Sequence, residues 1–179
     1  MIFEPLMVPG AYLLKPEQVV DERGFFARTF CRETFSERGL NPDLAQSSIS
    51  FNTAKLTLRG MHLQVPPHEE AKLVRCTRGH SHHVILDLRK TSAVFLKSTS
   101  VRLSAENRHL LYVPEGVAHG FLTLVENTEV FYQISAKYVP ESSMGARWDD
   151  PVFRIDWPHP PAVISRRDRE FPDFEQAFE

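Results

Sequence analysis

The chain has 179 residues and a formal net charge of -2, with neither sign gathered into a long run, so it is one domain without the basic footprint of a nucleic-acid binder. No apolar stretch approaches the roughly 20 residues needed to span a bilayer, and two cysteines, Cys31 and Cys76, are spaced for neither a zinc knuckle nor a disulfide framework. A reducing cytoplasm is the expected compartment, with Cys76 a buried thiol in an apolar run.

The amino terminus, MIFEPLMVPGAYLLKP, is apolar. It lacks a basic start and is interrupted by Glu4, Pro5 and Pro9, unlike a signal peptide. A helix is expected over residues 33–40, with Phe35 and Leu40 facing the core, Gly39 as its C-terminal cap and Pro42 preventing continuation. LRGMHLQ (58–64) starts like a strand and leads through a proline turn to a second strand opening at Lys72. Short runs rich in Val, Leu, Phe and Tyr then recur between turn signals: VRCT (74–77), HHVILDLR (82–89), AVFLKSTSVRL (93–103), HLLYVP (109–114), HGFLTLV (119–125) and EVFYQISAKYV (129–139). A short helix is expected after Pro172. Many short strands, little helix and 13 prolines predict an all-β sandwich or barrel formed by one domain over residues 1–179.

Chemistry-bearing residues cluster around LRGMHLQ (58–64) and the strand that follows it. Strict alternation puts Leu58, Gly60, His62 and Gln64 on one face and Arg59, Met61 and Leu63 on the other. Arg59 and His62 therefore reach one pocket only if a bulge or Gly60 reorients one of them. Taken alone, His62 reads as a buried, hydrogen-bonded histidine and Lys72 as a solvent-facing lysine at a strand edge. Further on, Pro114, Gly116 and His119 follow the pattern P-x-G-x-x-H. That pattern resembles the second motif of the cupins, double-stranded β-helix (jelly-roll) barrels in which this histidine can hold a metal. The first cupin motif normally supplies H-x-H and a later Glu. Here Gln64 stands where the second histidine would be, and no Glu follows His80 and His82 at the usual distance.

A longer succession carries more weight. DERGFF (21–26), LRGMHLQ (58–64), KLVR (72–75), PEGVAHGF (114–121), Tyr132, Tyr138, RWDDP (147–151), IDWP (155–158) and SRRD (165–168) occur in that order. Over about residues 18–172 this resembles the dTDP-4-dehydrorhamnose 3,5-epimerases, metal-independent cupins that need no cofactor. The resemblance implies an all-β cupin-like barrel with a few short peripheral helices. It implies an enzyme that inverts carbon 5 and/or carbon 3 of a nucleotide-linked 4-keto-6-deoxyhexose, through proton removal next to the ketone and reprotonation from the opposite face.

By the same resemblance His62 is the base and Asp168 its carboxylate partner, Lys72 sits near the keto oxygen, and Tyr138 returns a proton. Arg23, Phe26, Gln46, Arg59, His119, Tyr132 and Arg167 line the sugar-nucleotide site. Family members pair as homodimers, so Arg23 and Phe26 are expected to serve the neighbouring subunit's site. Asp168 taken by itself reads as a surface aspartate in the charged run SRRDRE.

Four departures stand out. Arg28 replaces a usual Glu near the nucleotide end, Ser48 a usual Asn, Leu63 a usual Tyr and His83 a usual Asp. His83 reads equally as an imidazole near the site and as a strand-end histidine in solvent. Two alternatives to the epimerase are a metal-dependent cupin using His62, His119 and His82 or His83, and a sugar-nucleotide binding module without catalysis.

Overall fold

The computed structural model describes residues 1–174. In chain order the elements are β1 (Ile2–Pro5), β2 (Tyr12–Lys15), β3 (Val19–Asp21), β4 (Gly24–Phe26), α1 (Arg32–Glu37), β5 (Gln46–Asn52), β6 (Thr57–Gln64), β7 (Lys72–Arg78) and β8 (His80–Asp87). They continue with β9 (Ser98–Ser104), β10 (Leu110–Val113), β11 (Val117–Thr123), β12 (Thr128–Ile134), β13 (Ser143–Gly145), β14 (Val163–Ile164) and α2 (Arg166–Arg169). One sheet has the order β1-β2-β10-β7-β12-β5 and a second the order β13-β6-β11-β8-β9, with β14 added in parallel to β6. β3 and β4 form a separate hairpin. The two facing sheets are the all-β, cupin-like architecture expected above.

The layers follow from which side chains each strand turns inward. Cys76, Ile85, Leu103, Leu111, Val113 and Val117 meet between the sheets with Val8 and Ala11. The outer face of the second sheet is covered as well: Met61, Leu63, Val84, Leu86 and Ala118 pack under Ala146, Phe153 and Trp157 of the carboxy-terminal segment. Phe35 of α1 and Leu40 cover Leu73, Leu110 and Tyr112 on the outside of the first sheet. With both faces covered, β8 and β11 are buried almost throughout instead of at alternate residues.

Several boundaries depart from the sequence reading. α1 ends at Glu37, and Gly39 adopts a positive φ of 68°, the left-handed turn expected of it. The expected strand over residues 93–103 begins only at Ser98. Ala93–Lys97 is a turn in which Leu96 has φ 64°, and its apolar residues are there for packing: Leu96 joins the cluster under Phe153 and Phe95 packs on Phe174. β12 stops at Ile134, so Tyr138 lies in a loop and not on a strand. The helix expected after Pro172 falls mostly outside the described residues.

The junction of β6 and β11 decides what reaches the interior. His119 pairs with His62, yet Phe121, only two residues on, pairs with Arg59, three residues back. This bulge gives β6 one extra residue and returns Arg59 and His62 to the same inner face. Gly60 sits in the bulge with φ 129°, and a Cβ there would lie 2.4 Å from the Gly120 Cα. Two backbones approach where only glycines allow it.

Candidate active site

Between the sheets lies a cavity of about 310 Å³ lined by residues from both. Alternation turns Lys72 and Val74 of β7 inward, with Tyr132 of β12 beside them, while the second sheet contributes Arg59, His62, His119 and Phe121. Gln46, Tyr138 and Arg167 complete the lining among the expected residues. A second cavity, about 390 Å³, lies under the β3–β4 hairpin, but its lining of Phe25, Phe26, Arg75, Thr77, Arg108 and neighbours holds no imidazole or carboxylate. The acid–base groups belong to the first.

Asp168 is drawn in from far along the chain. Ser165 caps α2 by accepting from the Asp168 amide, and the carboxylate is turned inward and buried. Its Oδ1 lies 2.7 Å from His62 Nε2, and its Oδ2 accepts from the Gly60 amide at 3.1 Å. Asp168 is therefore no surface aspartate. Burial raises its pKa, but the His62 and Gly60 hydrogen bonds outweigh that and hold it below the usual carboxylate range. An ionised Asp168 can only accept, so Nε2 of His62 is the donor, and Nδ1 is the nitrogen at which the neutral ring can take up a proton. Phe171 packs edge-on against the imidazole at 6.0 Å, in space that Gly145 leaves by having no side chain.

Lys72 is not solvent-facing either. Its Nζ donates to the His62 carbonyl at 3.0 Å and pairs with Glu70 at 3.0 Å, and both side chains are more than nine-tenths buried. An ammonium has three donors. Two are spoken for by Glu70 and His62, which leaves one for the cavity that both residues line. Tyr138 sits at the mouth, 54% exposed. Its amide donates to Gln46, and the following amide, of Val139, donates to the buried Gln64, whose own amide group donates to the His68 and Lys137 carbonyls. Arg59 donates to Asn52 at 2.8 Å and Arg167 to Ser143 at 2.9 Å, which steadies two guanidinium groups on the cavity lining.

Arg23 and Phe26 are placed elsewhere. They lie on the exposed β3–β4 hairpin, Arg23 paired with Asp21, and neither lines this chain's acid–base cavity. His83 corrects the solvent alternative: it is fully buried and hydrogen-bonded to His119 at 3.0 Å and Ser81 at 2.8 Å. His82 points to the opposite face, edge-on to Trp157. His82 is thus on the other face from His62, His83 and His119, and among the described residues no three of His, Cys, Asp and Glu gather where they could hold an ion. Glu70 and Phe171 were not singled out from the sequence, and Gln64 was noted only as standing where a cupin histidine would be. Of the two, Glu70 left the clearer signal, a carboxylate two residues before the Lys72 that opens β7.

Burial depresses four imidazoles: His83 to about 3, His119 well below the usual histidine range, where His83, Lys72 and His62 add to the effect, and His82 and His109 below their ordinary value. The unfolded chain takes up protons on these residues below about pH 6.5, whereas the folded chain does not. Stability is then expected to fall by several kcal/mol on acidification from about pH 6.5, before the Asp168 carboxylate is protonated at lower pH. Urea midpoints measured across this range check it, and a midpoint unchanged down to about pH 4 would contradict it.

The model of the dTDP-4-dehydrorhamnose 3,5-epimerase family matches residues 5–176. The chain belongs to that family. The dTDP-4-dehydrorhamnose 3,5-epimerase of Sinorhizobium fredii is 38% identical over 173 residues, 96% of this chain and 89% of that protein. The crystal structure of the epimerase from Elizabethkingia anophelis superposes with a TM-score of 0.95 at 36% identity, covering 98% and 97% of the two chains. A dTDP-6-deoxy-D-glucose-3,5-epimerase from Legionella pneumophila, solved in complex with dTDP-4-keto-L-rhamnose, gives a TM-score of 0.86 at 31% identity over 93% and 89%. These epimerases are isomerases, and the fold and family expected from the motif succession hold. Among the described residues no helix is long and apolar enough to cross a membrane.

Proposed function

We propose that the chain inverts carbon 5, carbon 3 or both in a nucleotide-linked 4-keto-6-deoxyhexose, with dTDP-4-keto-6-deoxyglucose the substrate tested first. The observation that carries this reading is the His62–Asp168 pair at 2.7 Å, set in a cavity beside the Lys72 ammonium. Carbons next to a ketone lose a proton only if the resulting enolate is stabilised. His62 takes the proton at its bare nitrogen, Asp168 steadies the imidazolium, and Lys72 donates to the oxygen where negative charge develops. Arg59 and Arg167 supply forks suited to the diphosphate.

The returned proton needs an acid facing His62. The resemblance put Tyr138 in this role, but Tyr138 is at the exposed mouth. Tyr132 lies on β12, in the sheet opposite β6, and is enclosed by the cavity with His119 edge-on at 6.1 Å. Burial raises the pKa of its phenol, against a smaller lowering by Arg59, and keeps the proton in place for transfer. We therefore assign the acid role to Tyr132 and leave Tyr138 to the mouth of the site.

The reading is tested by proton NMR in deuterium oxide with dTDP-4-keto-6-deoxyglucose, followed at each ring position. Deuterium entering carbon 5, carbon 3 or both is expected. Failure of exchange by folded protein on this and other nucleotide 4-keto-sugars would sink it and leave the binding-module alternative. Tyr132→Phe is expected to slow formation of the inverted product by about 10²-fold or more, and Tyr138→Phe far less. The reverse order would return the acid role to Tyr138.

Two copies of the chain are proposed to pair. The hairpin exposes Val19, Val20, Phe25 and Phe26, and the edge strand β5 exposes Ile49 and Phe51, an apolar surface a second copy would cover. Arg23 and Phe26 would then reach the neighbour's cavity. Sedimentation velocity at twice the chain mass supports this, and a monomer at micromolar concentration removes it. The free thiols Cys31 and Cys76 fit a cytoplasmic location, and fractionation that recovered the protein outside the cytoplasm would overturn it.

A further inference from the structure

The chemistry above leaves a buried polar chain unused. Ser81 and His83 on β8 have no exposed surface, and His119 on β11 lies between them and the cavity. Ser81 Oγ lies 2.8 Å from His83 Nε2, and His83 Nδ1 lies 3.0 Å from His119 Nε2. The two imidazoles stack at 5.2 Å with their planes 14° apart, and Phe121 stacks on both. The resemblance implies a carboxylate at position 83, and an imidazole there, which can donate as well as accept, gives the chain a different proton logic.

A hydrogen bond between two imidazole nitrogens holds one proton. When it sits on His83 Nδ1, neutral His83 accepts from Ser81 at Nε2, and neutral His119 carries its own proton on Nδ1. When it sits on His119 Nε2, His83 donates from Nε2 to Ser81, and His119 Nδ1 is bare. The nitrogen of His119 left for the cavity is thus a donor in one arrangement and an acceptor in the other, with no change of charge. A carboxylate at position 83 would instead accept from His119 in every state and favour the imidazolium.

We propose that His83 is a positioning residue that makes His119 a neutral, two-way hydrogen-bonding group for a hydroxyl of the bound sugar. A hydroxyl also both donates and accepts, so the two match in either tautomer, and the cationic role at the ketone stays with Lys72. The proposal rests on the keto-sugar reading above. The groups facing the two rings are His62 and Arg59 on β6, Lys72 on β7 with Glu70 just before it, Tyr132 on β12, and His82 beside His83. Burial lowers the pKa of both rings, in line with neutral imidazoles.

The test is nitrogen-15 NMR of ring-labelled histidines in the wild-type protein, alone, with dTDP and with dTDP-glucose. Each ring is expected to show one protonated and one bare nitrogen throughout about pH 5 to 8, and dTDP-glucose, not dTDP, should shift the tautomer balance of both rings together. A doubly protonated His119 in this window, or a shift at one ring without the other, overturns the proposal. His83→Asp is expected to give His119 a second proton and to add an ionisation to the pH profile of deuterium exchange, whereas His83→Gln, a neutral partner, adds none. Identical profiles for the two variants would also overturn it. Wild-type deuterium exchange is read alongside: with exchange but a cationic His119, this proposal falls alone, and without exchange the keto-sugar reading falls and takes it along.

Discussion

His62→Asn is expected to lower deuterium exchange from solvent into the sugar by about 10²–10⁴-fold, the usual contribution of a positioned base. Asparagine keeps polarity and approximate size but has no nitrogen that can take up a proton. The imidazole is fixed from two sides, by Asp168 at 2.7 Å and by Phe171 edge-on, and the residue's own backbone carbonyl is held by Lys72. The substitution should therefore remove the base without displacing the sugar, so dTDP binding by calorimetry is expected within a few-fold of wild type. Asp168→Asn should reproduce most of the loss. Its amide can donate towards Nε2 and so favour the wrong tautomer, and the Gly60 amide keeps an acceptor only if the side-chain oxygen faces it. Exchange by His62→Asn at a wild-type rate would remove His62 from the chemistry.

Lys72→Met is expected to lower kcat by about 10²–10³-fold, the effect of removing one preorganised donor from a developing oxyanion. Methionine keeps the unbranched stem, so the loss reports the charge and its donors. Removing the ammonium also strands Glu70, whose side chain is 9% exposed and whose partner is Lys72. An unpaired buried carboxylate is costly, and Lys72→Met alone is therefore expected to lower stability as well. The double variant Lys72→Met/Glu70→Gln separates the two effects: stability should recover while kcat stays low. If kcat recovered with stability, Lys72 would be a structural lysine and the ketone would need another donor.

The sequence announces much of the sandwich because strands such as β7, β8 and β11 are short apolar runs closed by turn residues. It misleads at Ala93–Lys97, where apolar side chains pack under the carboxy-terminal segment without belonging to a ladder. β1, β2 and β5 went unread. β1 and β2 fall in the proline-interrupted amino terminus, and β5 is a polar edge strand with little apolar pattern. For the site, parity alone separated Arg59 from His62, and the bulge opposite Gly120 rejoins them. No local pattern brings Asp168 across 106 residues to His62. That pairing was legible only through the ordered motifs. The burial of His83 was hidden for a related reason: β8 is covered on both faces, so alternation carries no signal about which histidine faces the cavity. Tyr132 and Tyr138 looked alike on one long expected strand, but β12 ends between them, and it is this difference in placement that the proposed acid role of Tyr132 rests on.

The crystal structure of the His62→Asn protein with dTDP-4-keto-6-deoxyglucose bound tests the facing arrangement most directly. Expected is a sugar ring lying between residue 62 and the Tyr132 hydroxyl, its keto oxygen about 3 Å from Lys72 Nζ. A ring bound with its ketone away from Lys72, or with residue 62 and Tyr132 on the same face, would contradict it.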